Sequence, residues 1–327
     1  MKNIKSFQNT LGKVTKSTFD NHAIDLFKFQ AGNNPVYKAY LESLNFKPEN
    51  VEKITKIPFL PIEFFKHHTI KTNDWETEIV FESSGTTQII TSKHHLQDLS
   101  YYHAHAQRIF ENSFGPLADK TILALLPSYL ERQGSSLVSM VDHFIQSTET
   151  NSSGFYLNDT TELIDKLSQS NKNDDIFLFG VTFALLELAE NMNIDLSHVT
   201  VIETGGMKGR REEITKDELY GILNSKLGID KIYSEYGMTE LLSQTYGRNG
   251  KFPQSSSMQI YIRDINDPFT ILQAGKTGGI NIIDLANAHS CSFIETKDLG
   301  RINLDGTFEV LGRFDNSDLR GCNLLVS

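Results

Sequence analysis

Between Phe81 and Gln88 the chain reads Phe-Glu-Ser-Ser-Gly-Thr-Thr-Gln, and the hydroxyls of Ser83, Ser84, Thr86 and Thr87 around Gly85 suit the holding of a polyanion. A glycine lets the backbone curl so that successive N–H groups converge, and the hydroxyls add donors that rotate to fit. The stretch follows the apolar run Ile79-Val80-Phe81 and contains no lysine. A Walker loop would end in Gly-Lys-Ser or Gly-Lys-Thr and open a helix, whereas Gln88-Ile89-Ile90-Thr91 continues as strand-like sequence. An ordinary P-loop ATPase is thereby disfavoured. The same residue types also suit a surface turn, so the loop needs further evidence before it means phosphate.

Two other stretches carry residues of use to a nucleotide. One is Thr204-Gly205-Gly206-Met207-Lys208-Gly209-Arg210, and the other is Ser234-Glu235-Tyr236-Gly237-Met238-Thr239-Glu240. The basic cluster Lys208, Arg210 and Arg211 suits either a phosphate or a solvated helix entry. The histidines do not indicate a metal. His103 and His105 fall about 200° apart around a helix axis, and His94 and His95 receive the same reading. Cys291 and Cys322 are too few for a disulfide framework and are expected as thiols.

The elements that must position these stretches alternate in type. Residues 1 to about 75 are mostly helical in pattern, with Pro58 and Pro61 interrupting an apolar connector, Ile57 to Phe65. The spacing of Leu96, Leu99, Tyr102, Ala106 and Phe110 predicts an amphipathic helix. Strands are expected at Thr121–Leu126, Ile176–Phe179, Val199–Glu203 and Lys231–Tyr233, with helices from Phe183 and over Glu212–Lys226. That is βαβαβ, the rhythm of buried parallel strands, in which ligands sit beyond the carboxyl ends. Both glycine-containing stretches follow such ends. From about Pro253 short strands at Gln259–Ile262, Gly279–Ile283 and Arg301–Leu304 alternate with Asn, Asp and Gly turns. The expected division is an α/β core over 1–252, with a helical N-terminal segment, and a small β-rich subdomain over 253–327.

Composition narrows the setting. The 327 residues are 39% hydrophobic and 22% charged, ordinary values for a globular protein. No apolar run is long enough to span a membrane, and the first residues lack the apolar core of a signal peptide, so a cytoplasmic location is expected. A net charge of −10 without a block of basic residues disfavours a nucleic-acid partner. Nothing in the sequence indicates the oligomeric state.

Taken together, Ser83-Ser84-Gly85-Thr86-Thr87, Tyr236-Gly237-Met238-Thr239-Glu240, Thr296-Lys297-Asp298-Leu299-Gly300-Arg301 and Gly312-Arg313-Phe314-Asp315 resemble, in order, the motifs of the adenylate-forming superfamily. That superfamily comprises acyl-CoA synthetases, peptide-synthetase adenylation domains and firefly luciferase. Within it, Ile57-Pro58-Phe59-Leu60-Pro61, Leu126-Pro127-Ser128-Tyr129-Leu130-Glu131-Arg132 and a very short carboxyl end resemble the acyl-protein synthetases of bacterial luminescence. The fold implied is α/β, the large domain of an adenylate-forming enzyme with βαβ sheet layers and a small β-rich subdomain, lacking the usual C-terminal lid domain.

The resemblance implies ATP and Mg²⁺ as cofactors and a carboxylic acid, fatty in those synthetases, as substrate. Ser83 to Thr87 would hold the ATP phosphates. Tyr236 would stack on adenine or line the nucleotide pocket, and Gly237 would allow close approach. Thr239 and Glu240 would hold the α-phosphate and Mg²⁺, with Glu240 the metal ligand. Gly205 and Gly206 would flank the adenine, Asp298 would accept from the ribose hydroxyls, and Arg313 would reach ribose or phosphate. Typical members continue past Gly-Arg-x-Asp into a mobile lid with a lysine, which is not expected here, and Gln88 replaces the second glycine of the loop. Cys322 matches the terminal cysteine that takes the acyl group as a thioester and passes it to a partner reductase, transferase or carrier protein. It also suits a small apolar filler. Two other readings stay open: a CoA ligase of the phenylacetate type, and a nucleotide-binding subunit of a reductase or transferase complex.

Overall fold

Helices α1 (Ile4–Gln8), α2 (Phe19–Asn33) and α3 (Pro35–Ser43) open the chain. The second buries Phe19, Ala23, Leu26, Phe27, Gln30 and Ala31, a stripe at helical spacing. It ends because Pro35 holds Asn34 out of helical geometry (φ −107°, ψ 108°), and Asn34 then caps α3 by accepting the Tyr37 N–H at 3.0 Å. Strand β1 (Leu60–Pro61) and helix α4 (Phe64–His67) follow. The computed structural model describes residues 3–83, 90–126, 134–157, 159–192, 194–205 and 215–314. Contacts gather it into two units, 1–74 with 253–327, and 75–252.

The unit over 75–252 begins with the antiparallel pair β2 (Ile79–Glu82) and β3 (Lys93–Leu96), then α5 (Leu99–Phe114). Its main sheet uses β4 (Thr121–Leu125), β5 (Gly154–Phe155), β6 (Ile176–Val181), β7 (Thr200–Thr204), β8 (Ile232–Tyr236) and β9 (Thr245–Arg248). Helices α6 (Ser136–Gln146), α7 (Thr160–Gln169), α8 (Thr182–Asn191) and α9 (Lys216–Leu227) make the connections. The strand order is β5-β4-β6-β7-β8-β9, parallel up to β8, with β9 returning antiparallel as the other arm of a hairpin. β6 and β7 are buried along their whole length, as continuous apolar runs between layers require. Phe110 and Phe114 of α5 pack on Phe177 of β6 with ring centroids 5.2 and 5.1 Å apart, and both also meet Tyr246 of β9.

Three sequence expectations change here. The strand expected at Lys231–Tyr233 runs on to Tyr236, so Ser234, Glu235 and Tyr236 belong to β8 and only Gly237 onward forms a loop. The helix expected from Glu212 starts, among the described residues, at Lys216, where Thr215 and Glu218 form a reciprocal capping box. The strand expected at Arg301–Leu304 is the tail of a longer one described below, which ends at Ile302.

The other unit returns after Phe252 with β10 (Met258–Arg263), β11 (Thr277–Asp284), β12 (Phe293–Ile302) and β13 (Phe308–Arg313). Their order is β1-β12-β11-β10, with β13 also on β12; all pairs are antiparallel except β1 with β12. The N-terminal helices therefore belong with this sheet, where the sequence had attached them to the α/β core. The cause is side-chain hydrogen bonding that no local pattern reveals. Gln30, fully buried in α2, donates to the carbonyls of Asn287, Ala288 and Ser290, each at 3.1 Å, and accepts from the Ser292 N–H at 2.9 Å. Asn34 adds a bond to the Ser290 carbonyl, and Leu60 pairs with Ile294.

Candidate functional site

Ser83 stands at the end of β2, where its side chain accepts the Ser92 N–H at 3.0 Å and its own N–H donates to the Ser92 carbonyl. The hairpin thus stays closed to the point where the hydroxyl-rich loop begins. Ser84, Gly85, Thr86, Thr87 and Gln88 lie outside the described residues. On β3, opposite Phe81, His94 is 1% exposed and its Nδ1 donates to the Thr239 carbonyl at 2.8 Å. Burial pushes its pKa down to about 4, against the opposing pull of that carbonyl, so the ring is neutral. One hydrogen bond therefore joins the strand pair that carries Ser83 to the loop that carries Thr239 and Glu240.

That loop, residues 237–244, connects β8 to β9 and is largely buried: Glu240 is 5% exposed, and Leu241, Leu242, Ser243 and Gln244 are buried with it. Buried irregular backbone must find its hydrogen bonds outside a ladder. His94 supplies one from β3. From α5, His105 Nε2 bonds Ser243 Oγ at 2.8 Å while its Nδ1 accepts from Arg108 at 2.7 Å, and Gln244 donates to the Ala106 carbonyl. A Cβ at Gly237 would meet the Glu235 carboxylate, which would have to shift to admit it. Tyr236 points inward, 8% exposed, with its ring tilted against Phe252 at 5.8 Å. Glu240 is the loop's only carboxylate. Beside the Thr239 hydroxyl it is a donor set that suits Mg²⁺ sharing phosphate oxygens and water.

At the carboxyl ends of β6, β7 and β8 lies a polar cluster. Glu203, buried, accepts from Thr182 Oγ1 at 2.8 Å, from Ser234 Oγ at 3.1 Å and from Lys216 Nζ at 3.3 Å. Thr204 Oγ1 donates to Glu235 at 2.8 Å. Burial raises the Glu235 carboxyl to about 7, with the nearby Glu203 charge adding to the rise and the Thr204 bond opposing it. Gly205 takes φ +71°, a conformation natural to glycine, and its carbonyl accepts from Thr182. Gly206, Lys208, Arg210 and Arg211 lie outside the described residues. Sequence reading passed over Glu203, Glu235 and Lys216. For Glu203 and Glu235 the available signal was a carboxylate within or next to an apolar strand; Lys216, at the start of α9, gave none.

In the other unit, Asp298 sits inside β12, directly opposite Arg313 of β13. Asp298 is 7% exposed, and its Oδ1 pairs with Arg313 Nε at 3.1 Å. The Asp298 N–H donates to Thr296 Oγ1, and Phe314 N–H returns to the Lys297 carbonyl. The Thr296–Arg301 and Gly312–Phe314 stretches are thus neighbours across one ladder. Cys291 is buried, its Sγ donating to the Phe293 carbonyl at 3.6 Å, and burial pushes the thiol up to about 12. It has the environment of a structural residue. Arg132, Asp315, Arg320, Gly321 and Cys322 lie outside the described residues.

No protein-family model matches the chain, and no curated protein matches it. Solved structures do. The ATP-bound MatB from Rhodopseudomonas palustris is 17% identical with a TM-score of 0.55, over 74% of this chain and 50% of that one. The O-succinylbenzoate coenzyme A synthetase MenE from Bacillus subtilis, in complex with ATP and magnesium ion, is 17% identical with a TM-score of 0.53, over 73% and 50%. An open conformation of 2-hydroxyisobutyryl-CoA ligase, with 2-HIB-AMP and CoA, is 13% identical with a TM-score of 0.68, over 91% and 70%. The chain spans about half the length of the first two. These neighbours are adenylate-forming CoA ligases, and the α/β fold described above is that of their large domain. Among the described residues no helix is long and apolar enough to cross a membrane.

Proposed function

We propose that this protein activates a carboxylic acid, using ATP and Mg²⁺, as an acyl adenylate, and passes the acyl group to a thiol. The observation that carries the reading is the His94 bond to Thr239, which joins the strand pair entering the hydroxyl-rich loop to the loop bearing Glu240. The fold shared with ATP-bound ligases supports it. A carboxylate oxygen attacks the α-phosphorus, the bond to the bridging oxygen of the β-phosphate breaks, and pyrophosphate leaves. Most of the rate comes from positioning and from neutralising charge.

Each residue then has a task. Ser83, Ser84, Gly85, Thr86 and Thr87 hold the phosphates, and Thr239 holds the α-phosphate. Glu240 would hold Mg²⁺, and the bound ion would supply positive charge to offset that gathering on the leaving pyrophosphate. Gly205 and Gly206 flank the adenine. Tyr236, seated against Phe252, lines the pocket, and Gly237 keeps the backbone close. Asp298 and Arg313 keep the ribose and phosphate roles that the motif resemblance implies. Cys322 is the thiol: as thiolate it attacks the acyl carbon and releases AMP, and the thioester passes to an acceptor protein such as a reductase, transferase or carrier. An acyl-protein synthetase of the luminescence type, acting on a fatty acid, is the reading the motifs favour. The CoA-ligase neighbours favour a second reading, in which CoA supplies the thiol.

The test is acid-dependent exchange of labelled pyrophosphate into ATP over a panel of acids, with Glu240→Gln expected to lower the rate about 100-fold. ATP binding without exchange for any acid would overturn the reading. Acyl labelling of wild type and Cys322→Ser, with and without CoA, separates the two thiols. Hydroxylamine-sensitive label lost only in Cys322→Ser supports the tail cysteine, and product that requires CoA supports the ligase.

A further inference from the structure

From β3, His94 reaches into loop 237–244 and bonds a backbone carbonyl, that of Thr239. The carbonyl can only accept, so Nδ1 carries the proton. A ring 1% exposed on a strand whose pairing with β2 is fixed by Phe81↔His94 has little freedom to follow a moving partner. From α5 the loop is held by His105, which bonds Ser243, and by the Ala106 carbonyl, which accepts from Gln244 of the loop. Between these supports stand Thr239 and Glu240. A leucine would fill the His94 site as well if packing were the whole purpose, and it would leave the carbonyl without its donor.

We propose that His94 is a positioning residue for the adenylation step assigned above, on which this inference rests: it holds the Thr239 carbonyl so that the Thr239 hydroxyl and the Glu240 carboxylate keep one register to the strand pair that carries Ser83. It touches neither nucleotide nor acid. Its effect passes through Thr239, in the way that groups behind a metal ligand set that ligand's orientation.

The experiment compares wild type, His94→Leu, which removes the donor, and His94→Asn, whose amide nitrogen replaces Nδ1. Pyrophosphate exchange is measured against Mg²⁺ and acid concentration at matched folded fraction. His94→Leu is expected to lose 10- to 100-fold in kcat and to need about 10-fold more Mg²⁺ for half-maximal rate, with KM for the acid unchanged. His94→Asn is expected to recover most of both. If His94→Leu does not fold, His94→Asn against His94→Gln, which moves the donor to the Nε2 position, decides the matter: equal kcat and Mg²⁺ dependence overturn the proposal. A folded His94→Leu that loses only thermal stability overturns it too. Wild type that exchanges with no acid contradicts the proposed function itself, and this inference falls with it. An active wild type with an unaffected His94→Leu removes this inference alone.

Discussion

Two buried histidines hold loop 237–244 by different ring nitrogens, His94 of β3 through Nδ1 and His105 of α5 through Nε2. Both are neutral in the fold: burial lowers His94 to about 4, with His95 adding to the fall, and His105 to about 3, with Arg108 adding to it. An unfolded histidine titrates near ~6.5. As pH falls below that value the unfolded chain gains protons that the folded chain refuses. Stability therefore drops toward pH 4, by up to about 1.4 kcal/mol per pH unit for each ring. Urea unfolding between pH 7.5 and 5 should show this decline, and His105→Gln, which keeps the Nε2 donor, should make it shallower. Glu235 acts with the opposite sign. Its raised carboxyl keeps a proton that the unfolded chain has released, so its contribution is full below about pH 4.5 and is lost as pH rises past about 7. Glu235→Gln should therefore gain stability over wild type at pH 8 and not at pH 5. Equal differences at the two values would mean that the group is not held neutral.

At the scale of elements, α2 is tied to the segment after β11 by a single amide side chain. Gln30→Leu would remove bonds to three carbonyls and the Ser292 N–H; the Ser290 carbonyl keeps Asn34 and Thr72 and the Asn287 carbonyl keeps the Ser290 N–H, so the Ala288 carbonyl and the Ser292 N–H are the groups that lose the partner Gln30 supplied. At about 1–3 kcal/mol for each group left unmet, a loss of about 2 kcal/mol or more is expected in denaturant unfolding. A loss under about 1 kcal/mol would mean that water replaces the amide. The same contrast explains what could be read in advance. β6, β7 and α5 declare themselves through apolar runs and helical spacing, which are local. The extension of β8 to Tyr236 was hidden because Ser234 and Glu235 are polar residues committed to the cluster around Glu203 and Thr204. The mid-strand place of Asp298 was hidden for a similar reason: it depends on pairing with Arg313. The bond from His94 to Thr239 spans too much chain for any spacing rule, and an isolated His-His pair gave no hint of it.

For the whole molecule, the discontinuous unit carries a consequence. Because residues 1–74 and 253–327 fold together, removing residues 1–34 should abolish amide protection in β11 and β12 while β4, β6 and β7 of the 75–252 unit remain protected. Hydrogen exchange by mass spectrometry would report both regions at once, and uniform loss would contradict the division. In the proposed reaction a carboxylate oxygen attacks the α-phosphorus of ATP. It is tested most directly with an acid labelled in its carboxyl group with oxygen-18, in the presence of ATP and Mg²⁺. The account predicts one labelled oxygen in AMP and unlabelled pyrophosphate. Label in inorganic phosphate with formation of ADP, or ATP consumed with no label transferred, would contradict it.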